Sequence, residues 1–355
     1  MICIETKKLC VGISTKYNNL KKLLKTPEAK YISEVFVSAP KTIGINTGRK
    51  NTGIMTNELL EKMIALAHKN NIKINVLANS LFLNGKGFEK AFQNNFKKEF
   101  RKIAKAGVDM ITLSNSKTIE LASNEKKVYD YKIKIAVSSF NQVNTPLLAE
   151  EYGALGADRI IFHQKENRNI PMIKRIIEYN PDLEFEIYMN SKCINGGQCP
   201  NTDLHSEYHS ITADMKSTWE KDPLLVACSA RRNKNPIDRL FTSTIRPEDM
   251  YLYRDIGFKY FKIATRTDSF EKRIELIKAY GEEKYNGYFG NLWNNTSVDA
   301  STIPNRALDN LMDKIKDYAI EDQKVVYEEI KEIWQNNIND EEKIISSVQE
   351  YIKKI

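Results

Sequence analysis

The chain has 355 residues, of which 41% are apolar and 28% charged, and its 54 Lys and Arg against 46 Asp and Glu give a net charge of +8. These proportions are typical of a globular protein and exclude a disordered or collagen-like chain. The positive charge allows an acidic partner such as RNA, but a composition rich in lysine, asparagine and isoleucine accounts for it without one.

The sequence also indicates where the protein works. No apolar run approaches the roughly 18 residues that cross a bilayer, and residues 1–8 (MICIETKK) lack the apolar core of a signal peptide. The five cysteines are an odd number, which argues against a disulfide framework. We therefore expect a soluble, cytoplasmic protein whose cysteines bind a metal or are inertly buried.

Short strand patterns and amphipathic helix patterns alternate along most of the chain. This order predicts an α/β fold of the parallel (β/α)8, TIM-barrel-like class. A doubly wound sheet is the alternative, but no GxGxxG motif follows the first strand. The predicted strands lie at residues 9–14, 34–38, 73–78, 110–114, 133–138, 159–163, 184–189 and 260–265, and the helices at 18–24, 57–70, 88–106, 118–123, 142–155, 172–179 and 269–279.

Two segments depart from this alternation. The connection between the seventh and eighth strands, residues 192–258, is far longer than a strand–helix–strand step needs, and it holds three of the five cysteines. After the last strand, the segments 305–335 and 340–355 show charged, amphipathic helix patterns. We therefore predict a barrel domain over residues 1–290, with a long cysteine-bearing insertion between strands 7 and 8, and a C-terminal helical extension over residues 291–355.

The predicted strands end in small polar or charged residues. Asn79 and Asn190 follow the third and seventh strands, and His163 ends the sixth. The carboxyl ends of the strands form the active-site face of a barrel. The pattern indicates a polar binding face there, although it does not name a reaction.

The strongest chemical signal follows the seventh strand. Cys193 and Cys199 flank a loop with two glycines, and Cys228 comes later in the same connection. Thiolates are ligands for iron–sulfur clusters and for zinc, and glycines let such a loop bend. A cluster is one interpretation, and a zinc site completed by His205 or His209 is another; inert thiols are the third.

Several distinctive segments occur along the barrel: IGINTGR at 43–49, LANS at 77–80, VSSFN at 137–141, LGADR at 155–159, NSKC at 190–193, CP at 199–200, YH at 208–209, IRPEDM at 245–250, Gly257, FKI at 261–263 and Arg266. Through them the chain resembles peptidase family U32, the collagenase-like family that also includes tRNA-, rRNA- and ubiquinone-hydroxylation proteins. The resemblance spans roughly residues 8–290 and excludes the helical tail.

The resemblance implies a [4Fe-4S] cluster near the barrel mouth, held by Cys193, Cys199 and Cys228. The fourth cysteine that the family usually supplies is missing, and Arg231 and Arg232 stand near its place. The fourth position is then either open to a substrate or exogenous ligand, or filled by another residue of the chain. We expect it to be open or filled by a residue other than cysteine.

The resemblance also implies an oxygen-independent hydroxylation or redox enzyme, or a component of one, that acts on RNA or an anionic small molecule, in some relatives with a protein partner of the same family. The alternatives are a U32-type peptidase, although neither HExxH nor GxSxG occurs, and a zinc-binding accessory protein of RNA modification. Glu186 and His163 are the candidate acid–base residues. The candidate substrate-binding residues are Arg49, Asn79, Asn190, Arg246, Lys262 and Arg266.

Overall fold

The structure is a computed structural model that describes residues 8–47, 53–83, 85–194, 199–202, 204–205, 207–208, 223–293 and 300–355. Within these residues, parallel strands β1 to β8 form a closed barrel in sequence order, with β8 pairing with β1. The predicted TIM-barrel-like fold is thereby confirmed. The strands are β1 (Leu9–Gly12), β2 (Ile32–Ser38), β3 (Lys73–Ala78), β4 (Met110–Leu113), β5 (Lys134–Val137), β6 (Arg159–Ile161), β7 (Glu184–Tyr188) and β8 (Tyr260–Ile263).

The strands form where short apolar runs are bounded by polar residues. β1 and β4 are buried along their whole length, as expected for a parallel barrel whose interior is filled by side chains and whose outside is covered by helices. The register aligns Cys10 on β1 with Lys262 on β8, and Lys262 with Tyr188 on β7. These three residues therefore lie at one level of the barrel.

The helices between the strands begin at residues whose side chains accept backbone hydrogen bonds. Thr56, Thr145 and Ser269 each accept one from the N–H three residues on. The helices are α1 (Tyr17–Leu23), α2 (Asn57–Lys69), α3 (Lys90–Lys105), α4 (Ser116–Val128), α5 (Pro146–Ala154), α6 (Ile170–Tyr179), α7 (Pro223–Lys234), α8 (Ile237–Leu240), α9 (Met250–Asp255), α10 (Phe270–Glu282), α11 (Leu311–Ile315), α12 (Ile320–Asn336) and α13 (Glu341–Lys354). α4 begins earlier than predicted because Asn115 caps it. None of the helices in the described part of the chain is both long and apolar enough to cross a membrane.

Two buried arginines hold the C-terminal helices against the barrel. Arg168, after β6, donates to the Tyr327 hydroxyl on α12 over 2.8 Å. Arg246, in the long connection, pairs with Asp309 and donates to the side chain of Asn305 over 3.0 Å. Buried guanidiniums need such partners to offset their lost hydration, so these contacts fix where the extension docks.

The first helix predicted in this extension, at residues 305–335, is not continuous. Asn310 has a left-handed backbone with φ of 63°, and the carbonyl of Leu308 just before it accepts a hydrogen bond from Arg246. A residue in the left-handed region does not continue a right-handed helix. The segment therefore forms a short 3-10 turn followed by the separate helices α11 and α12.

Candidate functional site

A cavity of about 190 Å³ opens at the carboxyl ends of the strands, the face on which barrel enzymes carry their active sites. Phe36 on β2, Leu77 on β3 and Tyr188 on β7 contribute to its floor, and the loops that follow the strands line its walls. The polar, uncharged lining residues apart from cysteine and tyrosine are Asn79, Thr112, Ser138, Ser139, Gln164, Ser191, His205 and Thr267.

The charged lining residues all have the same sign. Lys192, Arg232, Lys262 and Arg266 line the cavity, and none of the described lining residues is Asp or Glu. Ammonium and guanidinium groups form their strongest hydrogen bonds with carboxylates and phosphates. The electrostatics of the cavity therefore favour an anionic ligand.

The ring of Phe36 contacts two of these cations. The Lys262 Nζ lies 4.2 Å from the centre of the Phe36 ring, and the Arg266 guanidinium carbon lies 5.9 Å from it, both within the range of a cation–π contact. A Cβ at Gly12 would lie 2.7 Å from the ring and 2.9 Å from the Arg266 side chain. The absence of a side chain at Gly12 is therefore what lets the ring and the guanidinium lie there.

A buried ion-pair network lies beneath the cavity floor. Lys262 Nζ is 2.9 Å from Glu186 Oε1. Arg159 Nη1 lies between Glu186 Oε2, at 2.9 Å, and Glu34 Oε2, at 3.0 Å. Burial alone would raise the pKa of Glu186, but the charges of Lys262 and Arg159 lower it below its ordinary value. Glu186 is thus an ionised counter-ion that does not line the cavity, and the acid–base role proposed for it stays a prediction.

Cys10 belongs to the same network. Its sulfur and one oxygen each of Glu34 and Glu186 lie within 4.8 Å of one another, a spacing that a metal ion could bridge. Arg159 and Lys262 already neutralise these carboxylates. Burial raises the pKa of Cys10 well above its ordinary value, which favours a neutral thiol over the thiolate that binds metals. These contacts make Cys10 part of the interior packing.

Two cysteines of the long connection line the cavity, and the charge of a third acts on one of them. We call Cys193, Cys199 and Cys228 the mouth thiols; the first and last line the cavity. Burial raises the pKa of Cys228, and the charge of Arg232 opposes this rise. The charges of Cys193 and Cys199 raise that pKa further. Two of the mouth thiols are therefore near enough to the third for their charges to affect its pKa.

Backbone hydrogen bonds fix Cys193 just beyond the end of β7. Its N–H donates to Ser191 Oγ over 3.2 Å, and its carbonyl accepts from the N–H of Ser243 over 2.7 Å. The next residue, Ile194, forms an antiparallel bridge with Thr242. The start of the long connection is thereby joined to a later part of it, and Cys193 lies at the cavity wall.

Cys228 is positioned by its helix. It lies on α7, where Arg232 follows one turn later and donates from Nη1 to the Cys228 sulfur over 2.7 Å. Arg232 is fully buried, and its guanidinium lies 5.7 Å from the centre of the Trp293 ring. Cys193 has a weaker contact, with Gln164 Nε2 at 3.7 Å.

Among the described residues, the trio of Cys10, Glu34 and Glu186 is the set whose ligand atoms all lie within 4.8 Å of one another, so at least one pair of mouth thiols is farther apart than this. The iron–sulfur cluster and the zinc site both stay predictions.

Three of the predicted substrate-binding residues come together at this cavity. Asn79, Lys262 and Arg266 line it, and the Asn79 amide donates to Ser138 Oγ over 3.0 Å. Arg49 lies outside the described residues, as does His209. His205 also lines the cavity.

Three other predicted site residues do not line the cavity. The Asn190 side chain exchanges hydrogen bonds with the backbone of Ala264, at 2.9 and 3.3 Å, and ties the ends of β7 and β8 together. His163 is fully buried, and its Nδ1 accepts from the N–H of Lys165 over 3.2 Å. Arg246 is engaged by the C-terminal extension, as described above. These contacts are structural, and the site roles predicted for these three residues stay predictions.

Sequence reasoning missed the roles of Phe36 and Gly12. Both lie in predicted strands and carry no ionisable group. The alternation of strand side chains offered one signal, because it puts Phe36 on the same face of β2 as Glu34 and Ser38. Gly12 and Phe36 approach each other from two different strands, so no local sequence pattern predicts their contact.

The chain is similar to proteins of one family. Its sequence matches the profile of peptidase family U32 over residues 21–220, which is more than half of its length. It is 25% identical over 283 residues to the uncharacterized protease MJ1657 of Methanocaldococcus jannaschii, a match that covers 80% of each chain. Its fold is similar to the solved structure of the U32 peptidase Mk0906, with a TM-score of 0.53 and 16% identity over 74% of this chain and 94% of that one. The chain belongs to peptidase family U32.

Proposed function

We propose that this chain is an iron–sulfur protein whose barrel mouth binds a small anionic molecule beside the cluster and takes part in an oxygen-independent redox reaction, with hydroxylation as the reaction class. The observation that carries the proposal is the meeting of two thiols, Cys193 and Cys228, with four cationic side chains at one cavity whose described lining residues include no carboxylate. Hydroxylation is the class that the sequence resemblance implies.

The mouth thiols are the groups that would hold the cluster. Three thiolates near one another are a suitable donor set for an iron–sulfur cluster. A bound cluster supplies electron transfer or substrate activation.

The protein's own side chains would bind and orient the anion. Lys262 and Arg266, held on the face of Phe36, would donate to its anionic oxygens. Asn79, fixed by Ser138, would donate or accept at a second polar group. The apolar floor would exclude water and strengthen these interactions.

The size of the cavity favours a small molecule over RNA. Its volume of about 190 Å³ is below the roughly 300–1,000 Å³ of common ligand pockets. A single small anion fits this space better than a nucleotide of an RNA strand does. We therefore propose an anionic small molecule as the substrate.

The contacts of Cys193 and Cys228 do not favour peptidase chemistry at these two thiols. A cysteine nucleophile needs an adjacent base that takes its proton. Cys228 contacts the guanidinium of Arg232, and Cys193 contacts the amide of Gln164. Neither group accepts a proton near neutral pH.

Iron and acid-labile sulfide analysis of anaerobically reconstituted full-length protein tests the proposal. We expect iron and sulfide in equal amounts, together with broad visible absorbance that dithionite bleaches. Cys193→Ala should lose the iron, whereas Cys10→Ala, a matched control in the barrel interior, should keep it. A colourless wild-type protein that binds one zinc ion instead would overturn the proposal.

A further inference from the structure

Arg232 stands where the thiols meet the cavity. It is fully buried, lines the cavity and donates to the Cys228 sulfur over 2.7 Å. Its guanidinium also lies 5.7 Å from the centre of the Trp293 ring, which limits where the group can move. A buried guanidinium with these contacts has a fixed direction.

The number of thiols at the mouth is smaller than the number of irons in a cubane cluster. Of the five cysteines, Cys10 belongs to the interior network, and Cys3 lies outside the described residues. The described mouth contributes three thiols. A cluster with four irons, each normally bound by one thiolate, would therefore have one iron without a thiolate from this set.

Arg232 cannot fill that position. A guanidinium has N–H donors and no acceptor, so it cannot bind a metal ion. It follows Cys228 by one helical turn, and residues so spaced lie on the same helix face. An iron near Cys228 would therefore have a fixed hydrogen-bond donor beside it, and an anionic ligand on that iron could accept from the donor.

We infer that one iron of the cluster is bound by no protein thiolate and takes an anionic oxygen of the small molecule as its ligand, with Arg232 as the positioning residue that donates to that ligand. This inference rests on the proposed function. Lys262 and Arg266, at the same cavity, would bind the rest of the molecule. The substrate is then a small molecule with a carboxylate or similar anionic group that coordinates iron directly.

Cyanide is a suitable probe because it is a small anion that binds an exchangeable iron. Full-length protein would be reconstituted anaerobically, and its iron and sulfide measured before any ligand is added. Sodium cyanide would then be titrated into dithionite-reduced protein, with the EPR spectrum of the cluster as the readout. We expect a saturable change in the wild-type spectrum.

Two variants at one position make the test specific. Arg232→Cys would place a fourth thiolate one turn from Cys228, so its spectrum should no longer respond to cyanide. Arg232→Lys keeps the positive charge without adding a thiolate, so its spectrum should still respond. If Arg232→Cys does not fold, the wild-type titration decides the question alone.

A loaded wild-type protein whose EPR spectrum does not change with cyanide would overturn the inference and leave the proposed function standing. Repeating the titration on His205→Ala and Cys3→Ser would then show which residue fills the position, since its loss should make the spectrum responsive. A protein that holds no iron would overturn the proposed function itself. That outcome is distinguishable because the iron analysis comes before cyanide is added.

Discussion

Replacing Gly12 by alanine tests the packing that holds the cationic side chains at the mouth. The backbone at Gly12 is not left-handed, so alanine meets no conformational penalty there and its effect is steric. The new Cβ would lie 2.7 Å from the Phe36 ring and 2.9 Å from Arg266 Cγ, both inside normal contact distance. Overpacking of this kind costs about 1–3 kcal/mol. We expect the free energy of unfolding to fall by that amount.

Gly153→Ala is the matched control. Its Cβ would lie 3.5 Å from the Leu183 side chain, an ordinary contact. Because Gly153 lies within α5, alanine there should raise the free energy of unfolding by about 0.5–1 kcal/mol through helix propensity. Urea denaturation under one set of conditions measures both changes. If Gly12→Ala unfolds at the same urea concentration as the wild type, the close packing of Gly12, Phe36 and Arg266 is refuted.

Three further predictions concern buried charges and a buried thiol. Arg246→Met removes the ion-pair partner of Asp249 and Asp309, so it should lower the free energy of unfolding by about 3–5 kcal/mol. Urea denaturation measures this change, and an unchanged midpoint would contradict the prediction. Burial raises the pKa of Asp249 to about 6 from an ordinary 3.8. Because the folded chain then binds the proton more tightly than the unfolded chain, the free energy of unfolding falls as the pH rises from about 3.8 to about 6. Asp249→Asn should remove this fall in the free energy of unfolding, which is about 3 kcal/mol at 1.36 kcal/mol per pKa unit. If the wild type and Asp249→Asn show the same dependence of unfolding on pH, the prediction is wrong. Cys10 should resist maleimide in the native protein and react only in urea, as mass spectrometry of the labelled peptides would show.

The barrel was predictable because each of its strands has a local cause. Runs such as 73–78 and 110–114 are apolar and bounded by polar residues, and the observed β3 and β4 begin at the predicted residues. Cys193 and Cys228 could likewise be grouped from the sequence, since both lie in one unusually long connection. A shared connection limits how far apart two residues can be.

The parts that could not be predicted depend on contacts between distant segments. The motif around Arg246 combines an arginine, a proline and two acids, which is typical of both binding loops and helix starts. Only the fold shows that its partners, Asn305 and Asp309, belong to the C-terminal extension. The contact of Arg232 with the Trp293 ring could not be predicted either, because the two residues lie far apart in the sequence.

Buried charges are paired inside the barrel, and the described charged residues that line its mouth are all cations. In the interior, Glu34 and Glu186 are neutralised by Arg159 and Lys262, as the cost of burying charge requires. At the mouth, the described lining residues include four cations and no carboxylate. Ammonium and guanidinium groups form their strongest hydrogen bonds with anions, so this lining favours an anionic ligand.

A bound anion should therefore stabilise the fold. Inorganic phosphate at 100 times its dissociation constant would raise the free energy of unfolding by about 2.7 kcal/mol if it binds only the folded chain. Urea denaturation in phosphate and in sodium chloride of equal ionic strength separates this binding from general screening. Arg266→Met should abolish the difference, because it removes a cation from the cavity while leaving the Lys262–Glu186 pair in place. Equal stability of the wild type in both salts would show that the positive charge of the mouth does not bind phosphate.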